Sequence, residues 1–147
     1  MPDPVYKALF PAGSFVDVDP LKIEETFATV VDTPQRRRLA SQLRLFIAYL
    51  QGLGLNSFEM WINGSFTTAK PNPTDIDIVV FISRTVLEMM PDESLTELQR
   101  LASEEGRPYV REKWNVDYYH CPFDSFEQRN YWKNKFSMDQ YGEHKGI

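Results

Sequence analysis

Three aspartates and a glycine–serine pair are the residues of this sequence whose types and spacing suggest chemistry. Asp75 and Asp77 stand in the segment DIDIVVFI, and Asp117 stands in WNVDYYHC. Successive side chains of a strand point to opposite faces, so Asp75 and Asp77 share one face, roughly 7 Å apart. If the strand of Asp117 lies beside theirs, its carboxylate arrives from about 5 Å away. The sequence therefore predicts a patch of three carboxylates.

Such a patch needs a counter-charge. Two unit charges 5 Å apart repel by about 3 kcal/mol at an effective dielectric constant of about 20, which is a large share of a small domain's stability. Protonation would relieve the repulsion, but a hard divalent cation does so better, because Mg²⁺ prefers oxygen ligands. Two ions of Mg²⁺ or Mn²⁺, about 3.5–4 Å apart, would bridge an attacking oxygen, a transferred phosphoryl group and leaving pyrophosphate. We expect Asp75, Asp77 and Asp117 to be the ligands of such a site.

The pair Gly64-Ser65 follows the apolar segment SFEMWI and precedes the aspartates. Glycine lets the backbone approach a phosphate closely, the following amide can donate to it, and the Ser65 hydroxyl is a further donor. A Gly-Ser turn or an Asp-x-Asp strand alone is usually structural. Their joint order, with a third aspartate on a later strand, predicts a phosphate and metal site. Lys70 is a further candidate phosphate ligand, and a solvent-facing lysine is the alternative interpretation.

Helical and extended segments alternate along the chain. A cap at Thr33, a proline at position 34 and an apolar repeat up to Gly52 predict a clear helix. Ser94 with Glu97, and Ser125 with Gln128, match capping boxes, and Gly106-Arg107-Pro108 is expected to end the first of those two helices. The expected strands are 57–62, 75–82 and 114–121. The expected helices lie within 20–52, from 94 onward and at 125–136. The first helix is expected to start near Asp19 and Pro20, and the tail is expected to turn at Gly142.

This order predicts an α+β fold, an α/β sandwich in which a small mixed sheet is faced by helices. A chain of 147 residues is expected to form one domain. No segment has the apolar length to span a membrane and no secretory signal is visible, so we expect a cytoplasmic protein. A net charge of −5 argues against non-specific binding to long nucleic acid. Arg36, Arg37 and Arg38 are expected to form the solvated face of a helix start.

Taken together, these motifs resemble the nucleotidyltransferase superfamily typified by DNA polymerase beta, especially its small prokaryotic members. The resemblance rests on WINGSF, TAKPNPT, DIDIVV and NVDYYH, within residues 57–122. It implies the nucleotidyltransferase fold and the transfer of a nucleoside monophosphate from a nucleoside triphosphate, ATP included, to a hydroxyl of RNA, protein or a small molecule. Carried over by position, Asp75 and Asp77 would ligate both metals and Asp117 the catalytic one. Gly64-Ser65 would hold the terminal phosphates.

The sequence also departs from that superfamily. Two prolines stand in FTTAKPNPT where many members have a short arginine-containing helix. The larger enzymes also have a separate helical domain, whereas only one helix and a short tail are expected here after the third strand. Acceptor recognition is therefore expected to need a homodimer or a protein partner. There are two rival hypotheses. In the first, the protein is a non-catalytic member that acts as a nucleotide sensor or as one half of a toxin–antitoxin or phage-defence pair. In the second, the same carboxylates carry out metal-dependent phosphodiester hydrolysis.

Several other residues of types that often act in functional sites are expected to be structural here. His120 and Cys121 are adjacent on a strand, so they face opposite ways and do not act together. Tyr118 and Tyr119 follow Asp117 and are expected to pack, with stacking on a base as the alternative. The tryptophans, which are expected in the core or at an interface, are Trp61, Trp114 and Trp132.

Overall fold

The computed structural model describes residues 33–63, 66 and 73–136 of the chain. The first helix expected near Asp19 and the turn expected at Gly142 lie outside the described residues. Within those ranges no helix combines the length and the apolarity needed to cross a bilayer.

Helix α1 spans Pro34–Gly52, as its sequence signals predict. The Thr33 side chain accepts a hydrogen bond from the backbone N–H of Arg36 at 3.1 Å, and Pro34 occupies the first turn, where no backbone donor is needed. The apolar positions of the repeat are buried, which turns one side of the helix toward the sheet. These residues are Leu39, Leu43, Phe46 and Leu50.

The sheet has three strands, β1 (Glu59–Asn63), β2 (Ile76–Ile82) and β3 (Val116–Pro122), in that spatial order. β1 runs antiparallel to β2, and β3 runs parallel to it. A parallel pair needs a long crossover, which is made by helices α2 (Arg84–Glu88), α3 (Asp92–Ala102) and α4 (Gly106–Trp114). The prediction of a small mixed sheet faced by helices is confirmed.

Alternating side chains of the strands divide the core into two parts. On one face, Ile76, Ile78 and Val80 of β2 join apolar residues of α1, α3 and α4 in the larger cluster. On the other face, Val79 and Phe81 pack with Trp132 of helix α5 (Phe126–Phe136). The last helix and its cap were predicted correctly, since the Gln128 backbone N–H donates to Ser125 Oγ at 3.3 Å.

The predicted capping box at Ser94 and Glu97 is wrong, because the N-cap of α3 lies three residues earlier than Ser94. Asp92 is its first residue and Pro91 its N-cap, so Ser94 and Glu97 lie inside the helix. Asp92 and Glu93 occupy the first turn, where acidic groups complement the helix dipole. Glu97 instead forms an ion pair one turn later with Arg100, 2.5 Å between Nη2 and Oε1.

The residues Gly106, Arg107 and Pro108 begin a helix rather than end one. Helix α3 stops at Ala102, and Gly106 opens α4. A Cβ at Gly106 would lie 1.6 Å from the carbonyl oxygen of Arg100, so glycine serves a close approach between α3 and α4. Pro108 is tolerated because it falls in the first turn.

The third strand is shorter than predicted at its start. Trp114 is the last residue of α4, and Asn115 turns the chain in the left-handed conformation, φ 58°, before Val116 begins β3. Asparagine adopts this conformation more readily than most residues. A single residue therefore separates α4 from the strand that carries Asp117.

Candidate metal and phosphate site

One end of the sheet carries a row of polar side chains, which we call the polar row: Asn63 of β1, Asp77 of β2 and Asp117 of β3. Asn63 is paired with Asp77, and Asp77 is paired with Asp117, in the register of the sheet. Paired residues on neighbouring strands point to the same face, with Cα atoms roughly 5 Å apart. The predicted juxtaposition of the Asp77 and Asp117 strands is therefore confirmed.

The rest of this face is covered by apolar packing. The next row along the strands contains Trp61, Val79 and Tyr119, and the Tyr119 and Trp132 rings lie 4.8 Å apart between centroids. Helix α5 therefore covers the middle of the face through Trp132, which is buried. The polar row stands beyond this cluster, where Asp77 and Asp117 keep partial exposure to solvent.

Asp75 stands one residue ahead of β2 and is half-buried. The backbone around it is fixed, since the Ile76 N–H donates to the Asn115 carbonyl at 2.8 Å and Asn115 Nδ2 to the Thr74 carbonyl at 3.4 Å. Neither Asp75 nor Asp77 lacks an interaction partner. The turn residue Asn115 thus ties the start of β2 to the start of β3.

Asp117 is held by two arginines of α4. Its Oδ1 lies 3.3 Å from Nη2 of Arg111 and 3.7 Å from Nη2 of Arg107. Arg107 also donates to the Tyr119 hydroxyl, and its guanidinium carbon lies 4.2 Å from the centre of that ring. We call Arg107 and Arg111 the arginine pair. The sequence pattern does not predict this pair, because Gly106-Arg107-Pro108 is typical of a helix end and the helix that brings Arg111 to Asp117 is not among the expected elements.

The carboxylate oxygens of this site are the type of ligand that a hard cation prefers, but they do not converge on one point. Asp77 and Asp117 offer carboxylate oxygens from paired positions, and Asp75 stands two residues from Asp77 in the chain. Among the described residues, however, no three histidine, cysteine, aspartate or glutamate side chains converge tightly enough to hold a metal ion. The Asp117 carboxylate would have to exchange arginine contacts for metal contacts.

The segment between β1 and β2 is anchored on the start of α1. The buried Arg36 donates from Nη2 to the Phe66 carbonyl, and its guanidinium carbon lies 5.2 Å from the centre of the Phe66 ring, which is itself fully buried. Gln35 Nε2 donates to the Pro73 carbonyl at 2.8 Å. Phe66 and Pro73 are therefore both attached to the first turn of α1. The predicted residues Gly64, Ser65 and Lys70 lie outside the described residues.

The expectation that Arg36 lies on a solvated face is wrong, whereas Arg37 and Arg38 are exposed as expected. Arg36 precedes Leu39 and Ala40 by three and four positions, so it shares their buried side of α1. Burial lowers the pKa of its guanidinium. A run of three charges on a helix necessarily spans most of its circumference, and one of them here falls on the core side.

The side chains around Asp117 pack as expected. Tyr118 is buried against Phe46, 5.3 Å between ring centroids, and burial raises the pKa of its hydroxyl. His120 lies on the same face, with Nδ1 3.0 Å from that hydroxyl, and burial lowers the pKa of its ring. Cys121 faces the Trp132 cluster on the other side. His120 and Cys121 therefore do not act together, and all three tryptophans are buried.

Comparison with known proteins gives one match. Residues 7–147 match a protein family described as a family of unknown function, DUF6932. No curated protein and no solved structure is similar to the chain. Since the match covers nearly the whole sequence, the chain belongs to the DUF6932 family.

Proposed function

We propose that this protein is a metal-dependent nucleotidyltransferase, which transfers a nucleoside monophosphate from a nucleoside triphosphate to a hydroxyl acceptor and releases pyrophosphate. The observation that carries the proposal is the direct pairing of Asp77 with Asp117 on neighbouring strands. Carboxylates placed side by side at an accessible sheet end are suited to binding Mg²⁺ or Mn²⁺.

In this proposal Asp75, Asp77 and Asp117 hold the metal, which supplies positive charge to the triphosphate when bound. Asp117 lies at the side of the row farthest from β1, where its carboxylate would take the proton of the acceptor hydroxyl. β1 leads from Asn63 directly into Gly64-Ser65, so the triphosphate would bind at the opposite side. Arg36 and Gln35 support this segment by fixing Phe66 and Pro73.

A non-catalytic nucleotide sensor, or one half of a toxin–antitoxin or phage-defence pair, is the second candidate. It is favoured by the arginine pair, which already compensates the charge of Asp117. It is also favoured because, in the part of the chain that the structure describes, no three candidate ligand side chains form a metal-binding group. In that case nucleotide would bind without transfer.

The test uses nucleoside triphosphates labelled at the α-phosphate, Mg²⁺ or Mn²⁺, and cell extract as the source of acceptor. Wild type is expected to transfer the label to RNA, protein or a small molecule, and Asp77→Asn to abolish transfer. Asp124→Asn is the matched control, because Asp124 is an exposed aspartate in the turn after β3. Nucleotide binding without transfer by wild type would favour the sensor, and cleavage of nucleic acid without nucleotide transfer would favour hydrolysis.

A further inference from the structure

The charges at the polar row follow a fixed spatial order. From β1 to β3 the row presents Asn63, Asp77 and Asp117, and the arginine pair stands next to Asp117. β3 is an edge strand of the described sheet, and α4 lies beside it. The acidic part of the site is therefore bordered by cationic side chains on the side away from β1.

The arginine pair has more positive charge and more donors than Asp117 uses. Both guanidinium groups approach the same carboxylate oxygen, so the group of three carries an excess positive charge. Arg111 is 49% exposed and Arg107 28% exposed, which leaves access from solvent. The buried Nε of Arg107 has no hydrogen-bond partner among the described residues.

This arrangement suits a phosphate group. A guanidinium has five N–H donors in a planar fork that matches the oxygens of phosphate, and two such groups one helical turn apart can bind it together. Arg107 and Arg111 are four positions apart in α4, so they lie on one side of the helix. Carboxylate and phosphate would compete for the same donors.

We propose that Arg107 and Arg111 form a phosphate-binding site that Asp117 occupies as an internal anion until its charge is taken up elsewhere. The role of this site rests on the proposed function: the site would bind a phosphate of the acceptor. The acceptor is then a phosphate-bearing hydroxyl compound such as a nucleotide or the end of a nucleic acid strand. A cation that attracts Asp117 strengthens phosphate binding, and by linkage phosphate strengthens cation binding.

The decisive variant is Asp117→Asn, which removes the competing charge and needs no metal for its effect. In the presence of a chelator, titration calorimetry with inorganic phosphate is expected to show about tenfold tighter binding to Asp117→Asn than to wild type. Arg111→Gln in the Asp117→Asn background should lose that gain. Arg111 is the better position to change, because it is half-exposed and Arg107 also contacts Tyr119.

A second ion pair of the chain provides matched controls. Arg84 and Glu88 form an exposed pair on α2, 3.0 Å between Nε and Oε1. Glu88→Gln and Arg84→Gln make the same charge changes away from the row, and phosphate affinity should not change. Equal phosphate binding by wild type, Asp117→Asn and the double variant would overturn the proposal.

The source of the phosphate is identified by repeating the titration with adenosine monophosphate and with a short oligoribonucleotide. If the oligoribonucleotide binds more tightly than the other two ligands and Arg111→Gln removes the difference, the site recognises a phosphodiester. If inorganic phosphate, adenosine monophosphate and the oligoribonucleotide bind equally, the site recognises a lone phosphate group. These titrations use neither metal nor triphosphate. A negative transfer assay would therefore contradict the proposed function, whereas a negative titration would contradict the phosphate site, and the two failures can be told apart.

Discussion

Asp77 and Asp117 are direct partners in the parallel pairing of β2 and β3. Their side chains point to the same face from Cα atoms roughly 5 Å apart, and like charges so placed oppose folding. Arg107 and Arg111 offset this repulsion through their contacts with Asp117. The fold therefore holds two acidic groups on neighbouring strands, and two arginines compensate the charge of one of them.

If the polar row binds a cation, Mg²⁺ stabilises the folded state. A ligand at about a hundred times its Kd adds about 2.7 kcal/mol to the free energy of unfolding. We expect Mg²⁺ to raise the thermal midpoint of wild type, and Asp77→Asn to lose most of this rise, because one ligand is gone. Asp124→Asn should respond like wild type at matched ionic strength. Equal rises in wild type and Asp77→Asn would place the cation elsewhere.

Arg36→Gln should destabilise the protein by about 2–4 kcal/mol, because the buried Phe66 carbonyl loses its charged donor. Arg36→Lys keeps the charge but not the planar fork, so it should recover only part of the loss. Urea unfolding measures both. Arg38→Gln, an exposed change two residues away, is expected to stay within about 0.5 kcal/mol of wild type. Similar midpoints for Arg36→Gln and Arg38→Gln would contradict the anchoring role.

His120 should make stability depend on pH. Burial lowers its pKa, so the unfolded chain, with a pKa near 6.5, takes up a proton first as the pH falls. The stabilising contribution is complete above pH 6.5 and is lost progressively as the pH falls toward the lowered pKa. Between about pH 7 and pH 5 we expect the free energy of unfolding to fall, and His120→Gln should reduce this fall. Urea unfolding at each pH tests this, and an unchanged slope in His120→Gln would assign the effect to other groups.

Gly106→Ala should cost about 3 kcal/mol or more, because the new Cβ overlaps the Arg100 carbonyl and forces α3 and α4 apart. Gly52→Ala is the matched control, since a Cβ there meets nothing within 4 Å. It lies at the end of α1, where alanine is favoured by up to about 1 kcal/mol. Chemical denaturation of both variants is sufficient, and equal stability would refute the close contact.

The elements with strong periodic signals were predictable from the sequence. Helix α1 has a cap, a proline and a long apolar repeat, and β2 has the strongest apolar run, so local preferences agree with the final packing. The face shared by Asp77 and Asp117 followed from strand alternation once their strands were assumed to be neighbours. Register itself depends on contacts between distant segments, which the structure supplies.

The features that the sequence did not reveal depend on tertiary contacts. Gly106 and Pro108 are ordinary helix terminators by type, yet they stand in the first turn of α4, and the approach of the Arg100 carbonyl shows why residue 106 is a glycine. Arg36 is typical of a surface position, and its burial requires the Phe66 carbonyl as a partner. The arginine pair could not be predicted without α4, because that helix brings Arg107 and Arg111 to Asp117.

The single-residue connection at Asn115 has a consequence for the folding pathway. Arg111 and Asp117 are six residues apart in the chain, so their ion pair closes a short loop at low entropic cost. The pairing of β2 with β3 is a long-range event that follows the whole crossover. We expect the α4–β3 unit to form early and to bring Asp117 to Asp77 with its charge already compensated. The polar row would then assemble at the same rate with and without a chelator of divalent cations. Removing the Arg111 side chain would slow refolding more than it speeds unfolding.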